Sequence, residues 1–267
     1  MKQIHLRFWP EGKTKALTMS YDDGMVEDRK LVEIFNRYGI RGTFHLNSGT
    51  FQNGRYIDAG EVASLYDGHE VSVHTLTHPD LTNIPFTELV KEVCEDRKNL
   101  ERLSGGIVNG MSYPYGRYNQ KVVEALKNLG IVYSRTTASD DWFGLPKDFM
   151  TWHPTNHHKN RLMELCTSFL NMRNTIKWPA LFYVWGHSYE FSNDNNWDLI
   201  EEFCKTVSGQ PDVWYATNID IYYYVTAMRA LVFSCDNSLV YNPSAIDVWI
   251  GVDGQAVKVS AGSSVKL

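Results

Sequence analysis

From Leu17 to about Ala230 the chain alternates short apolar runs with amphipathic stretches of helical spacing, and few folds accept that rhythm. Strands separated by helices run parallel, because each helical crossover returns the chain to the same end of the sheet. The spacing predicts a first strand from Leu17 that ends in Asp22-Asp23-Gly24, then strands over Gly42–Leu46, Glu70–His74, Ile107–Ser112, Ile131–Arg135, Leu181–His187 and Val213–Ala216. Helices are expected over Val26–Tyr38, Glu61–Tyr66, Asn119–Leu129, Arg161–Met172, Asn196–Val207 and Asn218–Arg229. The clearest stripe is Phe86, Leu89, Val90, Val93, Cys94, Arg97, Leu100 and Leu103, which steps by three and four and stops at Ser104-Gly105-Gly106. The strand count favours a distorted or incomplete (β/α) barrel of about seven to eight parallel strands.

Two segments break the rhythm. Residues 136–158 read as a long loop, and loops of that length inside a domain usually carry function. Beyond Ala230 there is no helical stripe. Instead Ile246–Ile250 alternates, Asp253-Gly254 follows, and Ala256–Val259 alternates again, the pattern of a β-hairpin. The expected organisation is therefore a barrel over residues 1–230 and a small β appendage over 231–267, too short to hold a core alone and so packed on the barrel.

Composition narrows the function classes. The formal net charge is -5 and there is no basic block, so nucleic acid is not an expected partner. No apolar run approaches the roughly 20 residues of a membrane span, so no membrane role is expected. The polar leader up to Pro10 is too short for a secretory signal, and the expected location is cytoplasmic. Cys94, Cys166, Cys204 and Cys235 form no Cys-x-x-Cys pair and are expected to be buried thiols.

Chemistry concentrates where strands end, as parallel α/β folds require. Asp22 and Asp23 stand side by side at the first strand end, where two carboxylates repel unless a cation or a basic partner separates them. His74 and His78 follow the third strand at a spacing that can turn two imidazoles to one side. His187 closes a strongly apolar strand. One carboxylate plus two histidines leaves coordination positions open on a divalent ion, as hydrolytic metal sites need. An Asp-Asp-Gly alone is usually a turn, and a His-x-x-x-His alone is often a chance pairing. Their joint occurrence at strand ends is much harder to assign to chance.

These motifs resemble the polysaccharide deacetylase family of carbohydrate-esterase type, whose catalytic unit is the NodB-homology domain. Ser20-Tyr21-Asp22-Asp23-Gly24, His74-Thr75-Leu76-Thr77-His78, Pro114-Tyr115-Gly116 and His187 match its motifs, and the resemblance covers roughly residues 15–225. It implies Asp23, His74 and His78 as metal ligands, Asp22 as general base and His187 as general acid. It also implies an oxyanion donor at the backbone N–H of Tyr115. The implied cofactor is one divalent metal, zinc first, with cobalt, nickel, manganese or iron as alternatives.

The family's arginine two residues before the motif proline is Ser112 here, and Arg135 is nominated as its substitute in orienting Asp22. The family's Asp-Trp pair, whose acid orients the catalytic histidine, is matched in type by Asp141-Trp142, with Asp140 and Asp148 nearby. The run Trp152–His158 does not map onto the family's motifs; contact with substrate or a second cation are readings open to it, and the favoured one is a structural loop with solvent-facing histidines, with His5, His45 and His69 as scaffold or surface. The implied function is removal of an acetyl group from an N-acetylated carbohydrate by attack of an activated water on the amide carbonyl. Alternatives keep the site and change the substrate to a non-sugar amide such as a cyclic imide or ureide, or to an O-acetyl ester. A non-catalytic carbohydrate-binding barrel is a third reading.

Overall fold

A computed structural model describes residues 2–51, 53–173 and 178–267. In chain order its elements begin with β1 (Ile4–His5), β2 (Lys15–Asp23), α1 (Asp28–Tyr38), β3 (Gly42–Leu46), α2 (Val62–Leu65), β4 (Glu70–Val73) and α3 (Phe86–Ser104). They continue with β5 (Gly110–Ser112), α4 (Gln120–Asn128), β6 (Tyr133–Arg135), β7 (Asn156–His157), α5 (Leu162–Leu170), β8 (Ala180–His187), α6 (Tyr189–Asn193), α7 (Trp197–Val207), β9 (Val213–Tyr215) and α8 (Asn218–Arg229). Five short strands end the chain: β10 (Val232–Phe233), β11 (Leu239–Tyr241), β12 (Val248–Val252), β13 (Gln255–Val259) and β14 (Ser264–Lys266).

Seven parallel strands form a curled sheet in the order β6-β5-β4-β3-β2-β8-β7, and β9 pairs with the start of β2. This is the α/β, incomplete-barrel architecture that the alternation predicts. The centre is β2, paired with β8 over eight residues from Lys15↔Ala180 to Asp22↔His187. That register sets an acid and a histidine level with one another at the C-terminal edge. On the far side of the curl, Ser112 pairs with Arg135.

Period-two alternation gives β2 two kinds of face. Leu17, Met19 and Tyr21 join the main core with Leu31 and Phe35 of α1 and the apolar faces of α3, α4, α5 and α7. Between them, Thr18 hydrogen-bonds Asn218, Ser20 hydrogen-bonds Tyr183, and Asp22 pairs with Arg135. The concave side of the sheet is thus a buried polar interior that leads up to the strand ends.

The segment expected as a loop, residues 136–158, contains β7. It also joins the two ends of the sheet, for Trp152 makes a parallel bridge to Arg135 of β6. The Trp152 N–H donates to the Ser134 carbonyl at 3.0 Å, and the Thr136 N–H to the Trp152 carbonyl at 2.9 Å. His158 is buried rather than solvent-facing, stacked between Tyr21 and Phe191 with ring centroids 5.7 and 4.2 Å away. Gly186 is the reason it fits, since a Cβ there would lie 2.0 Å from His158 Nδ1.

The C-terminal strands form two small antiparallel sheets, β1-β12-β13 and β10-β11-β14. The hairpin turns at Asp253-Gly254, both with positive φ, the conformation a two-residue turn of this kind demands. Its third strand comes from the opposite end of the chain, Ile4 pairing with Val252. A second core of Trp9, Tyr133, Trp152, Tyr183, Tyr224, Val248 and Ile250 seats these sheets on the barrel. Cys166 and Cys204 are buried, but Cys94 is half-buried and Cys235 is exposed, which corrects the expectation of four buried thiols. Among the described residues no helix is long and apolar enough to cross a membrane.

Candidate active site

Asp22 and Asp23 end β2, and successive side chains of a strand point opposite ways. Asp23 escapes that alternation because its φ is 80°, in the left-handed region. Thr75, His78 and Tyr115 share that region, with φ of 71°, 63° and 58°. Backbone strain of this kind persists where the surroundings over-determine it, and here it gathers at one set of strand ends.

The turn from His74 to His78 is held from below. Asn47 Nδ2 donates to the carbonyls of His74 and Thr75 at 2.6 and 2.8 Å. Asp96 of α3 accepts from the His74 N–H at 3.1 Å, and Glu92 accepts from the Thr77 N–H and hydroxyl at 2.8 and 2.7 Å. The imidazoles of His74 and His78 therefore sit 4.7 Å apart between ring centroids, although the residues lie in a turn and not on a helix.

His74 Nδ1 lies 2.9 Å from the Ser112 carbonyl, an acceptor only, so Nδ1 carries the proton and Nε2 keeps its lone pair. That Nε2 is 3.6 Å from Asp23 Oδ1, and His78 Nε2 is 3.8 Å from the same oxygen. The three donor atoms all lie within 4.8 Å of one another. Zinc bonds of about 2.1 Å at tetrahedral angles set donors roughly 3.4 Å apart, so the set fits one divalent ion and leaves a position open. The hydrogen bond behind His74 is the kind of outer support that metal-ligating imidazoles use.

Asp22 is buried beside them. Arg135, also fully buried at the end of β6, pairs with its Oδ2, and the Ser112 hydroxyl donates to Oδ1 at 3.3 Å. Arg135 is thus placed against Asp22. Burial pushes the Asp22 carboxyl up, but Arg135 and then His74, His45 and His187 pull harder, and it is held well below the usual carboxylate range. Asp22 is accordingly ionised at neutral pH. Burial lowers the His74 pKa despite the two acids, which keeps its ring neutral.

His187, at the end of β8, faces the group from the other side, with Nε2 4.0 Å from Asp23 Oδ2. Burial opposes its charge, yet a hydrogen bond to Glu190 and the fields of Asp22 and Asp23 raise its pKa above the ordinary value. These side chains line a cavity of about 260 Å³ whose walls include Tyr113, Tyr115, Trp185 and Tyr189. Tyr115 is 61% exposed at the rim, its ring 4.6 Å from that of His78.

Asp141 and Trp142 are not brought to this cavity. Asp141 pairs with Arg161 at 2.8 Å on the surface, and Trp142 is 52% exposed. The acid on His187 is Glu190, three residues further along in α6, with Oε2 3.3 Å from Nδ1. Sequence reasoning passed over it; the available signal was a carboxylate one helical turn past a strand-end histidine.

Residues 10–134 match the family model described as polysaccharide deacetylase, a span that holds Asp22, Asp23, His74, His78 and Tyr115. The peptidoglycan-N-acetylglucosamine deacetylase PgdA of Listeria monocytogenes is 28% identical over 137 residues, 50% of this chain and 28% of that protein. A chitin deacetylase of Arthroderma benhamiae is 29% identical over 122 residues, 43% of this chain and 31% of that protein. Under a third of these curated relatives is therefore matched. Among solved structures, a Mycobacterium smegmatis protein provisionally described as a polysaccharide deacetylase superposes with a TM-score of 0.64 at 19% identity, over 83% of this chain and 93% of that one. A family 4 acetyl xylan esterase of Clostridium thermocellum, solved with a cobalt ion, gives 0.53 at 13% identity, over 78% and 90%. At such identities the likeness is one of fold. Sequence match and fold point the same way, and residues 10–134, just under half of the chain, are similar to the polysaccharide deacetylase family.

Proposed function

We propose that the protein is a metal-dependent hydrolase that removes the acetyl group from the nitrogen of an N-acetylated carbohydrate. The observation that carries this reading is the joint placement of an ionised Asp22, the donor set Asp23–His74–His78 and His187 around one cavity. The names of the curated relatives, deacetylases of peptidoglycan and chitin, support the carbohydrate assignment.

Asp23, His74 and His78 would hold one divalent cation; a mixed oxygen and nitrogen set suits zinc, and cobalt, nickel, manganese and iron accept the same donors. Bound there, the cation supplies Lewis acidity toward a carbonyl oxygen and makes a water more acidic. Asp22, fixed by Arg135 and Ser112, takes the proton of the attacking water. The backbone N–H of Tyr115 donates to the oxygen that becomes negative as the carbonyl is attacked. His187 delivers a proton to the amide nitrogen as the carbon–nitrogen bond breaks, because an amine leaves poorly unless protonated. One C–O bond forms and one C–N bond breaks, so acetate and a free amino sugar result.

Acetate release from N-acetylglucosamine oligomers, by the wild type and Asp22→Asn, tests this. The wild type should release acetate, and the variant should lose roughly 10²–10⁴-fold while still unfolding cooperatively, at a midpoint lowered because Arg135 loses its buried partner. Acetate from acetylated xylan alone would move the assignment to esters. An Asp22→Asn protein as active as wild type would contradict the reading.

A further inference from the structure

We propose that Glu190 is the positioning residue for His187, fixing which ring nitrogen is presented to the substrate, in place of any aspartate of the 140–148 loop. The inference rests on the deacetylase reading for its chemical consequence and on geometry for everything else. β8 ends at His187 and α6 begins two residues later, so Glu190 is carried back over the histidine by a single helical turn. Its Oε2 accepts from the His187 backbone N–H at 3.0 Å and lies 3.3 Å from His187 Nδ1. A carboxylate can only accept, so Nδ1 must be the protonated nitrogen. Nε2 is then the nitrogen turned toward Asp23, at 4.0 Å, and toward the cavity.

Glu190 is itself immobilised at both oxygens. His157 Nε2 and His158 Nε2 lie 3.1 and 3.5 Å from Oε2, and Lys159 Nζ lies 3.1 Å from Oε1. Lys159 is anchored in turn on Asp194 at 2.8 Å. This explains what the histidine-rich run does: it sets His157 and Lys159 on the two oxygens of one carboxylate whose remaining partner is His187, while the His158 ring packs beside them without a hydrogen bond. The donors of His157, His187 and Glu190 also lie close enough together to hold a cation. Here, however, Oε2 accepts from the His187 backbone N–H, and Lys159 on Oε1 already balances the charge of the carboxylate. Asp141, Asp140 and Asp148 offer no rival, since they are engaged with Arg161, the Trp142 N–H and the Met150 N–H respectively.

The decisive experiment compares two leaving groups. An amide needs its nitrogen protonated, whereas the 4-nitrophenolate of 4-nitrophenyl acetate departs without an acid. In Glu190→Gln, kcat on an N-acetylglucosamine oligomer should fall about 10²-fold or more with KM within a few-fold, while the ester rate should stay within about threefold. Nitrogen-15 NMR of the imidazoles gives a readout independent of turnover. His187 should be Nδ1-protonated in the wild type and should lose that single tautomer in the variant. Equal losses on both substrates, or an unchanged amide rate with an unchanged His187 tautomer, would overturn the proposal. A wild type inert on the amide would instead sink the deacetylase reading, and the NMR comparison would still decide the role of Glu190. Should Glu190→Gln fail to unfold cooperatively, Lys159→Met keeps the carboxylate and removes its second anchor. It should show the same amide-selective loss, smaller in size, and an equal loss on both substrates would count against the proposal.

Discussion

Asp22 and Arg135 form an ion pair with almost no exposure to solvent, and the two charges tolerate burial only through each other. Arg135→Met should strip Asp22 of its main partner and destabilise the fold by about 3–5 kcal/mol, read from the denaturant midpoint. Adding Asp22→Asn should recover a large part of that loss, because the orphaned charge is then gone. Additive losses in the double variant would show that the two side chains do not act as a pair. At this scale much could be read in advance. Asp22, Asp23, His74, His78 and His187 stand at strand ends, where residue type and local pattern coincide, and Arg135 carries a guanidinium at a strand end of its own. Glu190 was not found. A glutamate in a polar stretch after a strand carries no mark of the histidine it touches, and Asp141, an acid beside a tryptophan, fitted the family pattern while folding onto Arg161.

The helices were legible because apolar residues at steps of three and four declare themselves. Within α3 that same stripe hides two acids, Glu92 and Asp96, that face the protein and clasp the His74–His78 turn. Periodicity locates such a helix and says nothing about which polar residues it aims inward. Glu92→Ala should release Thr77 and lower the affinity of the site for a divalent cation by about 10–100-fold in a calorimetric titration. Unchanged affinity would mean that the turn keeps its shape without this clasp. A further buried acid, Glu70 of β4, ties β3, β6 and α8 together through hydrogen bonds from Thr43, Tyr133 and the Ile219 N–H. Burial raises its carboxyl from 4.5 to about 7 against those hydrogen bonds. A folded-state pKa above the unfolded one means that the native protein holds the proton more tightly. Its stabilisation is therefore complete below about pH 4.5 and is lost as the pH rises through about 7, roughly 3 kcal/mol in all. Between pH 5 and pH 8 the denaturant midpoint should fall further in the wild type than in Glu70→Gln, and equal falls would refute the assignment. The strand β7 escaped prediction because its two residues, inside a histidine-rich run, form no apolar pattern of their own.

For the whole molecule, alternation dictated a parallel curled sheet, and the hairpin near the C-terminus could be read from Asp253-Gly254. Neither pattern could show that Ile4 and His5 complete the hairpin's sheet, since pairing between the two ends of a chain has no local signature. The polar interior was equally hidden. Thr18, Ser20, His45, Ser72 and Ser112 interleave with apolar neighbours, and only closure of the curl turns them toward one another beneath the cavity. The fold's contribution to chemistry is this convergence: five strand ends, remote in sequence, deliver their last residues to one place. The central claim is that Asp23, His74 and His78 together hold a single divalent cation. Calorimetric titration of chelator-stripped protein with zinc, wild type against His78→Ala, tests it directly. One equivalent should bind the wild type, with affinity at least 10²-fold weaker in the variant, whereas a wild type that takes up no cation, or a variant that binds it equally well, would contradict the account.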